Sequence, residues 1–528
     1  MDLDAVLAGC SSNDNVVRKQ AEQTITAAAK SPEILSQLMQ RLQSAEQPQV
    51  RQLSGVLLRK HLRSHWRRLP ASAHKQIQTA LQQRLVQETV EPVRRAVAEL
   101  IASIARLTVP NREWPGLLEW LHQLSAAASE HHRQAALQIF SSLTEVIGEH
   151  LQESFPVLQQ VFLASLKDSS VEVRRTALEA VSAMMPWLDD EHHIALFKDL
   201  VPLTIQVTQH ALQSGDEITA VLAFETFLDL LEVPASWVGA FFPALVKLSV
   251  ESASNTQLEL NTREQALQVV NWLAQFKPKQ LTKQQLVKPI LESLCKLCAE
   301  PDPEDHDQDD QLSASKFASQ AIDTLALNLQ NKWVFPHCLA FAKDAIQSGD
   351  SNVRAAACTV LVVVAEGCCD ACTSHLSDVL QNSWHQCNST VAVHDLGRAL
   401  WVRVLALVVL CDFGIPLFLY MSANGPDELQ GYLEALMAKL LEVVRTGNSD
   451  TQYSALGAIA SAANAAGASF QPYVPAVFPV LQQYMEATDS SMLKRRCRAT
   501  EAMGLMATAI GKQAVMPMVP HIMQAALK

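Results

Sequence analysis

The chain has 528 residues and a formal net charge of −12, several times the length of a common single domain and the wrong sign for a nonspecific nucleic-acid binder. Only 17 residues are Gly, about half the usual ~7% share, which disfavours hairpin-rich β folds and Gly-built phosphate loops. Eleven Cys with no secretory leader at Met1–Asp4 imply reduced thiols in the cytosol or nucleus, and the most apolar stretch, Val404–Met421, is broken by Asp412, Gly414 and Pro416 and so predicts no membrane span.

In chain order, a short polar or acidic turn leads repeatedly into a helix whose first turns carry an Arg followed by small and apolar residues. The motif reads PQVRQLSGVLL from Pro48, EPVRRAVAELI from Glu91, EHHRQAALQIF from Glu130 and VEVRRTALEAV from Val171. GDEITAVLAFETFLDLL from Gly215 is a further unit, followed by NTREQALQVVNWL from Asn261, SASKFASQAIDTLALNL from Ser313 and SNVRAAACTVLVVV from Ser351. The marker arginines are Arg51, Arg94, Arg133, Arg174, Arg263 and Arg354, and the first three steps are 43, 39 and 41 residues. Ahead of such helices stand others, often opened by Pro: PGLLEWLHQL, FPVLQQVFLASL, FPALVKLSV, KPILESLCKL and VPAVFPVLQQYM. Pro is tolerated in a first helical turn, where its missing N–H has no partner to lose. Each unit is thus helix A, short turn, helix B. A period of about forty residues predicts an all-α, right-handed superhelical solenoid of HEAT/ARM-like helix pairs, in which every pair buries its apolar stripe on the next. The marker arginines are expected to form a ladder with acids of neighbouring turns.

Motifs of catalysis are missing: no P-loop, HExxH, GxSxG or GxGxxG stands in a supporting context. The chain is read as non-enzymatic and without a cofactor. Glu130–His131–His132 and Glu191–His192–His193 are placed in interhelical turns. Cys295 and Cys298 form a CxxC inside an apolar helix, where buried thiols are ordinary. The denser set Cys368, Cys369, Cys372, His375, His385, Cys387 and His394 lacks the second tight pair of a zinc site, so no metal is assigned.

Two charged features stand out. Arg59, Lys60, Arg63, Arg67 and Arg68 put five cations into ten residues, with no acid between Gln47 and Gln87. On a helix that buries Leu58, Leu62 and Trp66 these cations form either a solvated face or a contact surface. The run EPDPEDHDQDD holds Glu300, Asp302, Glu304, Asp305, Asp307, Asp309 and Asp310 between helix A and helix B of one repeat. Its charge and prolines predict an extended acidic loop, either simply solvated or acting as a polyanionic arm toward basic partners.

The segment VRQLSGVLLRKHLRSHWRRL, Val50–Leu69, resembles the second repeat of the importin-β (karyopherin-β) superfamily, importin-four type. The likeness continues through REWPGLLEWL, HRQAALQIFSSLTEVIGEHL, TREQALQVVNWLAQFKPKQL, SQAIDTLALNL and GAIASAANAAGASFQPY, over roughly residues 1–382 and 426–528. The resemblance implies a nuclear transport receptor that carries basic cargo of the histone or ribosomal-protein type. It implies cargo release by Ran-GTP, weak contacts to Phe-Gly nucleoporins, and shuttling between cytoplasm and nucleus, with no membrane insertion and no direct nucleic acid. It also implies that Arg51, Arg59, Lys60, Arg63 and Trp66 fall in the Ran-binding region, although the apolar spacing of Trp66 favours a core position over a contact. The alternative is a HEAT scaffold subunit of a multiprotein complex. The expected organisation is an importin N-terminal domain over 1–90, an array over 91–382 with the acidic loop 300–310, an irregular segment over 383–425 that departs from the family, and further repeats over 426–528. The last repeats are expected to be truncated, making the chain an N-terminal portion.

Overall fold

The computed structural model describes residues 3–10, 12–28, 33–233, 236–301, 313–368, 371, 426–447 and 449–526. The chain divides into two units, Met1–Ala244 and Leu245–Lys528. The first contains α1 (Leu3–Cys10), α2 (Asn15–Ala28), α3 (Glu33–Ser44), α4 (Pro48–His65), α5 (Ala71–Gln87), α6 (Glu91–Thr108), α7 (Leu117–Ser125) and α8 (Glu130–Ile147). It continues with α9 (Phe155–Ser165), α10 (Val171–Met184), α11 (Glu191–Leu196), α12 (Leu200–Ser214) and α13 (Glu217–Glu232). After α14 (Phe242–Ala253), which leads into the second unit, come α15 (Leu260–Phe276), α16 (Pro278–Lys283), α17 (Val287–Leu297), α18 (Ala314–Asn328), α19 (Asn331–Ala345) and α20 (Ser351–Gly367). The second unit also holds α21 (Pro426–Thr446), α22 (Ser449–Ala466), α23 (Val474–Met485), α24 (Leu493–Ile510), α25 (Lys512–Val515) and α26 (Val519–Ala526). Among the described residues there is no strand, and no helix is long and apolar enough to cross a membrane.

The boundaries follow local chemistry. Pro stands in the first turn of α4, α6, α9 and α23. The side chains of Ser170, Asp216, Ser313 and Asp350 accept the orphan N–H groups at the starts of α10, α13, α18 and α20. Gly215, at φ 74°, closes α12 in the left-handed region. The expected B helices appear as α4, α6, α8, α10 and α13 in the first unit, and each packs on the next. In the second unit α15 packs on α18, α18 on α20, and α22 on α24. A B helix must therefore bury two flanks. Accordingly, α6 hides Val93, Ala96, Val97, Leu100, Ile101 and Ile104, each at 5% exposure or less. Each large side chain so buried contributes about 1.5–3 kcal/mol. Gly367 approaches α18 closely: a Cβ there would stand 2.2 Å from the carbonyl oxygen of Ala326.

Three marker arginines reach one repeat forward. Arg51 holds Glu88, Arg133 holds Asp168 and Arg263 holds Glu300. Arg94 and Arg174 instead donate to the carbonyls of those same acids, Glu88 and Asp168, and Arg354 donates to the carbonyls of Ser348 and Gly349. Two interhelical turns, those of Glu88 and Asp168, are thus each clamped from both sides by successive arginines. Burial alone would raise the Glu88 carboxyl, but hydrogen bonds from Arg51, the Val90 N–H and Arg84 outweigh it and hold it below the usual carboxylate range. Asp168 is depressed in the same way, burial being overcome by Arg133 and the Ser170 N–H.

Some expectations are corrected. Glu130–His132 and Glu191–His193 are not in turns but form the first turns of α8 and α11. The short helices α11 and α16 were not anticipated, because six residues are too few to display a helical period. The irregular segment 383–425 lies outside the described residues, as do Asp302, Glu304, Asp305, Asp307, Asp309 and Asp310. The same holds for Cys369, Cys372, His375, His385, Cys387 and His394.

Candidate functional site: a basic groove on α4, α6 and α8

Side chains from three successive B helices of the first unit enclose a groove of about 470 Å³. From α4 come Val56, Arg59, Lys60 and Arg63, from α6 Glu99, Ser103 and Arg106, and from α8 Ser142. The repeat explains the convergence. Lys60, Ser103 and Ser142 each stand nine residues after a marker arginine (Arg51, Arg94, Arg133), and Arg63 and Arg106 each stand twelve after Arg51 and Arg94. One helical face, repeated in register, therefore lines the groove.

Its electrostatics are lopsided. Arg59 pairs with Glu99 across the groove, but both side chains are about two-fifths exposed, so the pair contributes little to stability. Among the described residues, neither Lys60 nor Arg63 pairs with a carboxylate. Arg106 donates from Nε to the carbonyl of Ser142 at 3.0 Å and from Nη2 to its hydroxyl. Burial lowers the Arg106 pKa; Glu145 opposes this, while Arg63 and Arg59 push it further down. The groove is thus a place where positive charge is crowded and partly stripped of water. An acidic partner surface would relieve that crowding.

Of the residues expected to meet Ran, the structure brings Arg59, Lys60 and Arg63 together and moves two elsewhere. Arg51 is committed to Glu88, donating from Nε at 3.0 Å and Nη2 at 3.1 Å. Trp66 is 2% exposed. It follows α4 in a tight turn (Trp66–Arg68), and its ring stacks on His74 with centroids 4.2 Å apart. Both residues position α4 instead of lining the groove. Arg106 was missed, although its register twelve residues after Arg94 matches that of Arg63. The acidic run is also redrawn at its start. Glu300 is not a loose loop side chain, since Arg263 Nη2 donates to its two carboxylate oxygens at 2.6 and 2.7 Å.

The other polar sets among the described residues are already engaged or deeply buried. Among the described residues, Asp189, Asp190 and His193 are the group of potential metal ligands whose atoms lie within 4.8 Å of one another. However, Asp190 Oδ1 already caps α11 by accepting the N–H groups of His192 and His193. Cys295, Cys298, Cys338 and Cys368 are buried. Contact with the Cys295 thiol and burial push the Cys338 thiol well up, and burial pushes Cys368 to about 11. Such thiols are not nucleophiles at neutral pH.

Residues 21–87 match the family Importin-beta N-terminal domain, and residues 89–248 match IPO5-like, TPR repeats. The α4 side of the groove falls in the first match, and its α6 and α8 sides in the second. Importin-4 of Homo sapiens is 27% identical over 555 residues, which cover 94% of this chain and 50% of that protein. The Probable importin subunit beta-4 of Schizosaccharomyces pombe is 24% identical over 542 residues, covering 95% and 49%. Among solved structures, the crystal structure of Kap121p aligns at a TM-score of 0.78 and 19% identity, over 99% of this chain and 55% of that one. Kap121p has also been crystallised bound to Nup53p and to Pho4p. The chain spans about half the length of the curated relatives it matches, and the likeness to Kap121p places its fold among all-α HEAT-type superhelical solenoids.

Proposed function

We propose that this chain, which belongs to the importin-β superfamily and is of its importin-4 type, is a nuclear transport receptor whose basic groove on α4, α6 and α8 binds Ran-GTP. The observation that carries this reading is the coincidence of the crowded cations Lys60, Arg63 and Arg106 with the span matched by the importin-β N-terminal domain and the repeats that follow it. Lys60, Arg63 and Arg106 meet the acidic partner directly. Arg59 does so by exchanging Glu99 for a partner carboxylate, while Arg51 and Trp66 hold α4 in place.

Cargo is a basic protein of the histone or ribosomal-protein type, complementary to a chain of net charge −12. The acids that follow Glu300 in the sequence add negative charge suited to such cargo. Ran-GTP and cargo are then coupled ligands of one flexible repeat array, so each, when bound, lowers the affinity for the other by the same factor. Passage through the pore rests on contacts to Phe-Gly nucleoporins, and the receptor shuttles between cytoplasm and nucleus without catalysing a reaction. Residues 1–90 form the importin N-terminal domain and supply the α4 side of the Ran groove, 91–382 and 426–528 are the repeat arrays, and 383–425 is a segment that departs from the family. The binding of Nup53p and Pho4p by Kap121p supports reading solenoids of this kind as protein receptors.

The test is titration of the full chain with fluorescent Ran carrying a non-hydrolysable GTP analogue or GDP. The GTP form should bind selectively, more weakly as salt rises, and about ten- to a hundredfold more weakly in Lys60→Glu plus Arg63→Glu. Equal binding of the two nucleotide forms would leave a HEAT scaffold as the better reading.

A further inference from the structure

Trp272 lies on α15 in the second unit, nine residues after its marker arginine Arg263. In the first unit that register holds Lys60, Ser103 and Ser142, which line the groove, and Ala183 on α10. Here it is occupied by an aromatic ring that is only partly buried. One turn later Phe276 is 56% exposed, and the two rings lie 5.0 Å apart between centroids, tilted by 41°. Exposing a phenyl ring beside an indole sacrifices apolar burial that a polar residue at 276 would not need. The next residue, Lys277, caps α15 and sets its Nζ 5.7 Å from the centre of the Trp272 ring.

Three features of this place favour a cation. The indole face carries the negative lobe of its quadrupole, and it already faces an ammonium. The rings offer apolar surface to the methylene stem of a Lys or Arg. The carbonyls at the C-terminus of α15 add the negative end of the helix dipole, and the chain as a whole carries −12.

We infer that Trp272 and Phe276 form a docking platform for a Lys or Arg side chain of a basic partner protein, and that Lys277 is an internal occupant the partner displaces. The inference rests on the basic-cargo reading above and assigns that cargo a contact separate from the Ran groove. Displacement has a consequence that packing alone lacks: removing Lys277 should help the partner, and only while the indole is there.

The experiment measures anisotropy of a fluorescein-labelled peptide of alternating Lys and Gly with the full chain. Trp272→Ala should weaken binding about three- to tenfold, and Trp272→Phe by less. Lys277→Gln should tighten it about two- to fourfold, Lys277→Arg should not, and the gain should vanish in the Trp272→Ala background. Trp272→Phe guards against a folding defect, checked by unchanged helical circular dichroism. The inference is overturned if Trp272→Ala binds like the wild type, or if the Lys277→Gln gain persists without the indole, which would make it a simple charge effect. Loss of a Phe-Gly peptide in Trp272→Ala, with the basic peptide unaffected, would overturn it in favour of a nucleoporin contact. If the wild-type chain binds no Lys–Gly peptide, both this inference and the basic-cargo reading fail, while nucleotide-selective Ran binding would still stand.

Discussion

Replacing Glu88 by Gln tests whether the arginine clamp holds the groove-bearing helices. The Glu88 side chain is 1% exposed and accepts Arg51 Nε at 3.0 Å, Arg51 Nη2 at 3.1 Å, an Arg84 guanidinium nitrogen, and the Val90 N–H at 3.0 Å. Gln keeps one acceptor oxygen, loses the charge, and turns an NH2 group toward a guanidinium. Removing one partner of a buried charged pair costs about 3–5 kcal/mol. Arg51 and Arg84, 12% and 15% exposed, regain some water, which places the expected loss near the lower end, about 3 kcal/mol. For a unit the size of Met1–Ala244 this lowers the first-unit transition by roughly 6–12 °C in calorimetry at pH 7. The sign of the pH effect follows from the carboxyl being depressed when folded. Its stabilisation is present above the unfolded value of about 4.3 and is lost as pH falls through the lower folded value. The gap between wild type and Glu88→Gln should therefore be constant from pH 7 to 5 and narrow below about pH 4. A Gln variant within about 0.5 kcal/mol of wild type at pH 7, or a gap that persists undiminished in acid, would refute this account of the clamp.

Two further outcomes follow from the same packing. Gly367→Ala would ordinarily gain up to about 1 kcal/mol of helix propensity. Here the added Cβ meets the backbone oxygen of Ala326 at 2.2 Å, so urea unfolding should show a net loss of about 1–3 kcal/mol; a stabilised variant would contradict the close approach of α18 and α20. Glu300→Ala strips Arg263, whose side chain is 9% exposed, of its bidentate carboxylate. It should cost the second unit about 2–3 kcal/mol in denaturant melts, whereas a neutral result would return Glu300 to the solvated loop.

The repeat was legible because its signals are local. An apolar stripe at helical spacing, a Pro in the first turn, and an Arg four residues past the turn all lie within one helix, so α4, α6, α8, α10, α15 and α20 could be read from their own residues. The charge of α4 was legible for the same reason, and Lys60 and Arg63 do line the groove. What the tertiary structure decided is which side chains stay free to meet a partner. The ladder expected of Arg51 finds its acid only in the fold, in Glu88, 37 residues on, and the core position open to Trp66 is completed by His74, whose ring stacks on it. Arg106 looks like an ordinary helix-end arginine until the stacking of α6 between α4 and α8 brings it beside Arg63. Periodicity determines the face a residue occupies on its own helix. Exposure and pairing depend on the neighbouring repeat, and the turn geometry that sets how far one helix slides along the next has no comparably local signal in the chain.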